Sequence, residues 1–420
     1  MIGNNQLPVN YLRRSRIALY VVGVLTRVES VIGDVHVDMD VYRIFSTPLS
    51  LLRLNQFQNN DHCENWTRFS TNELIDLVPR LGLPEYVYVF NTPGNFYRFH
   101  REELLIYTLT KLAHGFPHTV MSDMVVGGDS ARWGRGYNYM MQHLDDHFSN
   151  IINVDSLGMW VHQFPYFSEL IRRKYCSCWN QHDDVDGNPV IDAENIYQNE
   201  GSFNISGLMD ASVFEITRVG SGPVGEGTHQ PRRPNWYIKQ RSVCSAHKKF
   251  HGLSMLTVSF PNGMITVVGI ASSRNWDGTM LTWSQLDNFL NALCANNNIG
   301  NYCFYADNGF LGGWTNLRTP HRGTLMFPLT ARLRKENVVM TKIRIRVEWA
   351  YGIVKSYWKL VTKYLFFKLD QNADLVIQTL RVSCLVSNFR TCYRGNSLSD
   401  VVSFDCAPPS IEEYLNSNNV

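Results

Sequence analysis

"YCFYADNGF" (residues 302–310) is an apolar, aromatic run that stops on a carboxylate, Asp307, followed at once by Asn308 and Gly309. Such a run has the texture of a buried strand, and Asn-Gly marks the turn that ends it. Asp307 then has two readings: a side chain capping the turn, or a ligand for a cation at the rim of a sheet. The choice depends on whether other acids reach the same rim.

Upstream, "NISGLMDASVFEI" (204–216) is a second β-rich run, with Asp210 in its middle and apolar residues on both sides. Burying a lone carboxylate is costly, so an Asp at the centre of a strand has a partner or a metal. If this strand lies beside the one that ends at Asp307, the two side chains project close together. Neighbouring carboxylates repel, and a divalent cation relieves the repulsion. "HGLSMLTVSF" (251–260) and "GMITVVGIAS" (263–272) are two more strands around the turn signal Pro261-Asn262-Gly263, and "GTMLTWSQLDNFLNALC" (278–294) reads as a helix. Three antiparallel strands, a helix, a fourth strand and further helices predict an α/β fold, a mixed sheet with helices packed on it.

Downstream, in "KIRIRVEWAYGIVKSYW" (342–358), Ile343, Val347, Ala350 and Val354 recur at helical spacing. Glu348 lies beside that stripe, with Arg344 one turn before it and Lys355 about two turns after. Taken alone, Arg344 and Glu348 are an ordinary i, i+4 ion pair, contributing ~0.3–0.5 kcal/mol. The chain carries a formal net charge of only +2, but between Arg332 and Lys363 nine basic residues face two acids, Glu336 and Glu348. That stripe can hold a phosphate backbone, the plain alternative being a solvated helix face. Lys355 is the favoured phosphate contact, with Arg344 next.

Strand Asp, strand-end Asp and helix Glu, in this order, resemble the ribonuclease-H-like core of DDE transposases, and in detail the PIF/Harbinger group. "GLMDASVFEI" resembles that group's first-Asp strand, and "KKFHGLSMLTV" its Lys-Gly-x-His-Ser segment, with Phe250 and Gly252 departing from it. "SRNWDGTML" is similar to its Pro-Gly-Ser-x-x-Asp stretch, "YADNGF" to its Gly-Asp-x-Gly-Tyr strand end, and "RIRVEWAYGIVKSYWKLV" to its Arg-x-x-x-Glu helix. "ADLVIQTLRVSCLVSNF" is similar to its closing helix, with Ser387-Asn388 in place of His-Asn. The likeness covers about residues 200–393.

The resemblance implies that Asp210, Asp307 and Glu348 are catalytic and hold Mg²⁺ or Mn²⁺, two ions in all. It implies a nuclear enzyme that cuts DNA at transposon ends and joins the 3′-hydroxyls to target DNA. Lys355, Arg344, Lys359, Lys249 and His251 would touch DNA. A separate Myb-like DNA-binding protein is an expected partner, homo-oligomers fit the reading, and no membrane is involved. The alternative is a domesticated descendant that keeps the fold and binds DNA or chromatin without cutting.

The rest of the chain divides by texture. Residues 1–98 are partly helical, with one firm helix at "STNELIDLVPRL" (70–81), where Ser70 and Glu73 have capping-box spacing. Residues 99–150 predict three helices that fit a helix-turn-helix module, in which Arg132 and Arg135 near the start of the third would contact DNA, or else a plain helical bundle. Residues 151–203 read as a connection, 204–393 as the catalytic domain with a loop insertion at 218–241, and 394–420 as a tail. Gly220-x-Gly222-x-x-Gly225 has dinucleotide-binding spacing but is followed by Pro231 and Pro234 rather than a helix. Cys176, Cys178 and His182 lack the second ligand pair of a zinc finger, and the acidic run 183–194 lacks the turn Gly of a calcium loop. No Gly-x-Ser-x-Gly elbow is present. The longest early apolar run, "IALYVVGVL" (17–25), falls short of the ~18 residues of a membrane span. An odd count of nine scattered cysteines points to a reducing compartment.

Overall fold

The computed structural model describes residues 60–92, 95–122, 129–180, 204–216, 243–245, 249–310, 312–362, 373–395 and 404–416. The insertion at 218–241, the run 183–194, His182 and residues 1–59 lie outside them.

The central sheet is built from β3 (Ile205–Glu215), β4 (Cys244–Ser245), β5 (Phe250–Ser259), β6 (Ile265–Ser272), β7 (Cys303–Tyr305) and β8 (Leu317–Arg318). β5 pairs antiparallel with β3, with β6 and, over its first two residues, with β4. On its other side β3 pairs in parallel with β7, and β7 in parallel with β8. The order β6-β5-β3-β7-β8, with the last two strands parallel to β3, is the mixed sheet of a ribonuclease-H-like core. The expected neighbourhood of the first and fourth strands is therefore present.

Helices flank this sheet. α5 (Phe164–Asn180) packs on β3, and its Phe164 and Phe167 join an aromatic cluster with Phe260 and Phe304. Residues 151–203, expected as a connection, thus contribute a helix to the core. α8 (Ala331–Tyr357) lies across β3 and β5. It begins at Ala331 because Thr330 caps it, its hydroxyl accepting from Leu333 N–H at 3.3 Å. The helix predicted over 278–294 is two, α6 (Asp277–Ser284) and α7 (Leu286–Asn296), broken at Gln285, whose φ of +52° cannot continue a helix.

The segment before the sheet forms α1 (Asn60–Thr67), α2 (Thr71–Arg80), a hairpin of β1 (Tyr86–Thr92) and β2 (Asn95–His100), then α3 (Arg101–His114) and α4 (Ser130–His147). Ser70 and Glu73 make the capping box that their spacing predicts. α3 stops at Gly115, whose φ of +66° suits glycine. Between α3 and α4, the one-turn helix His118–Met121 stands where a middle helix was expected. α9 (Ala373–Arg394) packs on α4 and β6. Its buried Asn388 caps the sheet edge, accepting from Ile265 N–H at 3.0 Å and donating to Ile265 C=O at 2.8 Å. Asn388 also donates to Tyr414 of α10 (Ile411–Asn416), so the expected tail docks on the core.

All nine cysteines are free thiols. Among the described residues no helix is long and apolar enough to cross a membrane.

Candidate active site

Strand register sets the first two acids. In the parallel pair of β3 and β7, Leu208 lies opposite Tyr305. Asp210 and Asp307 are each two residues further on, Asp210 within β3 and Asp307 just past the end of β7, so both lie toward the same end of the parallel pair. β7 ends at Tyr305, which puts Asp307 at the rim. There its Oδ1 accepts Gly309 N–H at 2.7 Å, so Asp307 does cap its own turn. The cap also fixes the direction of the carboxylate.

Helix α8 brings the third acid. Ile343, Val347, Ala350 and Val354 are buried, the stripe expected from their spacing. That packing turns Arg344 toward the sheet, where Nη1 lies 3.3 Å from Asp210 Oδ2 and Nη2 lies 2.7 Å from Glu348 Oε1. The i, i+4 pair read from sequence is present, and it is one arm of a bridge to β3. The fully buried Tyr351 pins the same place: its hydroxyl lies 2.8 Å from the main-chain oxygens of Asp210 and Met255 and accepts from Thr257 at 2.8 Å. Sequence reading passed over Tyr351, although it stands three residues beyond Glu348 on the buried side of the helix.

Electrostatics tie Asp210 to the other two acids. Burial pushes the Asp210 carboxyl up to about 6, against the pull of Arg344 and of a hydrogen bond from Ala211 N–H, and the charges of Asp307 and Glu348 push the same way as burial. All three acids therefore share one field, with one guanidinium among them. A fourth is close by. A Cβ at Gly309 would stand 3.0 Å from both Asp307 Oδ1 and Asp277 Oδ2, so these two carboxylates flank one small residue. Asp277, in the first turn of α6, belongs to the "SRNWDG" motif and was given no role from sequence.

Hard carboxylate oxygens with no His or Cys among them suit Mg²⁺ or Mn²⁺. Among the described residues no group of three or more His, Cys, Asp or Glu side chains is placed to hold a metal ion, and Arg344 contacts both Asp210 and Glu348. The donor set fits a divalent ion whose charge would replace that of Arg344.

The other expected contacts are spread out. Lys355 is docked on β3, donating to Ser212 Oγ at 2.7 Å and lying 4.7 Å from the centre of the Phe214 ring, so a phosphate would compete with that docking. Lys359 is exposed just beyond the helix. His251 sits level with Ile216, six residues and roughly 20 Å along the strand from Asp210, and Lys249 lies in the turn between β4 and β5, its N–H donating to Ser245 C=O. Arg132 donates to Arg98 C=O at 2.8 Å and lies over Phe99 and Trp133, which makes it a clamp on the hairpin, while Arg135 is exposed. Arg346, counted in the basic stripe, is buried 3.4 Å from the centre of the Phe404 ring.

No curated protein and no solved structure matches this chain. Residues 226–388 match the family model described as DDE superfamily endonuclease. That span includes Asp277, Asp307, Arg344 and Glu348, ends on Asn388, and begins after the strand that carries Asp210. Sheet order and this match point the same way: over residues 226–388 the chain is similar to the DDE superfamily endonucleases.

Proposed function

We propose that the protein is a metal-dependent DNA nuclease and strand transferase of the transposase type, of the PIF/Harbinger group. It acts in the nucleus, cutting at transposon ends and joining the freed 3′-hydroxyls to target DNA. The observation that carries this reading is that Asp307 and Glu348, from two distant stretches, act electrostatically on the buried Asp210, with Arg344 bridging Asp210 and Glu348. These three residues would hold Mg²⁺ or Mn²⁺, and two such ions stabilise the attacking and leaving oxygens of a phosphodiester and make bound water a nucleophile near neutral pH.

The chain's own residues do the positioning. Gly309 N–H orients the Asp307 carboxylate, and Tyr351 fixes the main chain at Asp210. Arg344, relieved of its acids, stands beside them on the helix and can take a phosphate oxygen. Exposed Arg334, Lys342 and Lys359 on and after α8 add charge along the DNA backbone, which makes binding fall steeply with salt. A separate Myb-like protein supplies end recognition, and a homo-oligomer would hold two ends together.

Nicking of supercoiled plasmid in Mg²⁺ or Mn²⁺ tests the reading. Wild type is expected to cut, and Asp307→Asn to lose on the order of 10³-fold in rate, about 4 kcal/mol of barrier, with an unchanged melting temperature. Cutting by both proteins, or by neither, sinks it.

A further inference from the structure

Next to the acids, a cavity of about 350 Å³ opens between β7, β8 and the first turns of α8. Tyr305, Trp314, Arg318, His321, Glu336 and Asn337 line it. Its volume is in the range of small-ligand sites and some ten times the ~30 Å³ share of one water. Three polar atoms in its wall are buried without a hydrogen-bond partner: Glu336 Oε2, the Tyr305 hydroxyl and Trp314 Nε1–H. Glu336 and Tyr305 are each only 3% exposed, so these groups are withdrawn from bulk water.

The wall is built rather than loose. The other Glu336 oxygen is 3.1 Å from His321 Nε2. Asn337 clamps the His321 main chain, accepting from its N–H at 2.8 Å and donating to its C=O at 2.9 Å. A Cβ at Gly312 would stand 2.6 Å from Trp314 Nε1, so glycine there leaves room for the indole edge. An unmet buried donor or acceptor costs about 1–3 kcal/mol, and three at one cavity mark a place that a partner completes.

The partner's chemistry follows from the wall. An acceptor and two donors beside aromatic planes suit a flat heteroaromatic ring with N–H and O or N on its edge. Position adds to this: Tyr305 lies two residues, ~7 Å, before Asp307 on the same strand, and Glu336 lies twelve residues, ~18 Å, before Glu348 on the same helix. We propose that the cavity takes one unpaired nucleobase of the DNA strand being cut, its edge read by Glu336, Tyr305 and Trp314 and its face stacked on the aromatic rings. The inference rests on the DNA-cutting reading of the neighbouring acids.

The test uses the full chain and 12-nucleotide abasic strands, wholly abasic or carrying one cytosine, thymine, adenine or guanine at the centre, titrated by fluorescence anisotropy. A single base is expected to tighten binding about 10-fold. Glu336→Gln and Tyr305→Phe, both nearly isosteric, should cut that gain to about 2-fold while leaving melting temperature and binding of the wholly abasic strand unchanged. No gain from a base, or the same gain in both variants, overturns the proposal. So does saturable, Glu336-dependent binding of free deoxycytidine with no gain in the strand, which would make the cavity a nucleoside site. Plasmid nicking by the same preparations separates the two readings. Cutting without a base effect removes the base site alone, and a base effect without cutting removes the nuclease reading alone.

Discussion

Arg394, at the end of α9, donates to Glu64 at 2.8 Å and to Glu73 at 2.7 Å. Arg344, in the middle of α8, reaches Asp210 at 3.3 Å and Glu348 at 2.7 Å. Locally both are one guanidinium shared by two carboxylates, yet the acids respond in opposite ways. Burial works to raise Glu73, but hydrogen bonds from Arg394 and Ser70 outweigh it and hold Glu73 below its usual range. Asp210 is pushed up to about 6 despite Arg344. The difference is burial, which at Asp210 one main-chain hydrogen bond and the 3.3 Å contact with Arg344 do not offset, and the charges of Asp307 and Glu348 add to it. A satisfied ion pair holds helices together, and an unsatisfied one waits for charge from outside the chain.

Breaking the satisfied pair should have the larger effect. Arg394→Ala leaves Glu64 and the mostly buried Glu73 without their cation and is expected to cost about 2–3 kcal/mol in urea unfolding, whether or not Mg²⁺ is present. A loss near zero would mean that the α9 anchor is ornamental, and the contrast between the two arginines would fail. Arg344→Gln removes the competitor for the acids. The variant should bind Mg²⁺ about 10-fold more tightly, some 1.4 kcal/mol, read as a larger rise in melting temperature per increment of Mg²⁺ than wild type shows. Equal responses would show that Arg344 does not stand in the cation's place.

The contrast also explains what the sequence could reveal. Asp210, Asp307 and Glu348 were legible because each breaks a local pattern, a carboxylate within or at the end of an apolar strand or beside an apolar stripe. Helix α2 was legible from Ser70 and Glu73, and the end of α3 from Gly115, since these signals act within one turn. The bridge from Arg344 to Asp210 spans 134 residues, and nothing near Arg344 announces the strand that it meets. Asn388 closing the sheet edge at Ile265, Tyr351 pinning Asp210 and Lys355 docking on β3 were missed for the same reason. Their side chains look like ordinary helix-face residues until the sheet is placed beneath them. Asp277 was visible inside a motif, but its place beside Asp307, with Gly309 between the two carboxylates, emerges only in the fold.

The smallest effect tests the direction of the Asp210 shift. With its folded pKa raised to about 6 from 3.8, Asp210 favours folding most when protonated, and that contribution is lost as pH rises through about 6. Asp210→Asn removes the titration, so in the absence of metal the variant should gain on wild type by about 1 kcal/mol between pH 5 and pH 8. Glu73→Gln should run the other way. A depressed folded pKa lends stability above the unfolded value and loses it as pH falls, so that variant should trail wild type at pH 7 and close the gap in acid. Urea midpoints across pH give both slopes. Two slopes of the same sign would place Asp210 in an ordinary ion pair and leave the acids at the sheet rim with no call for a metal ion.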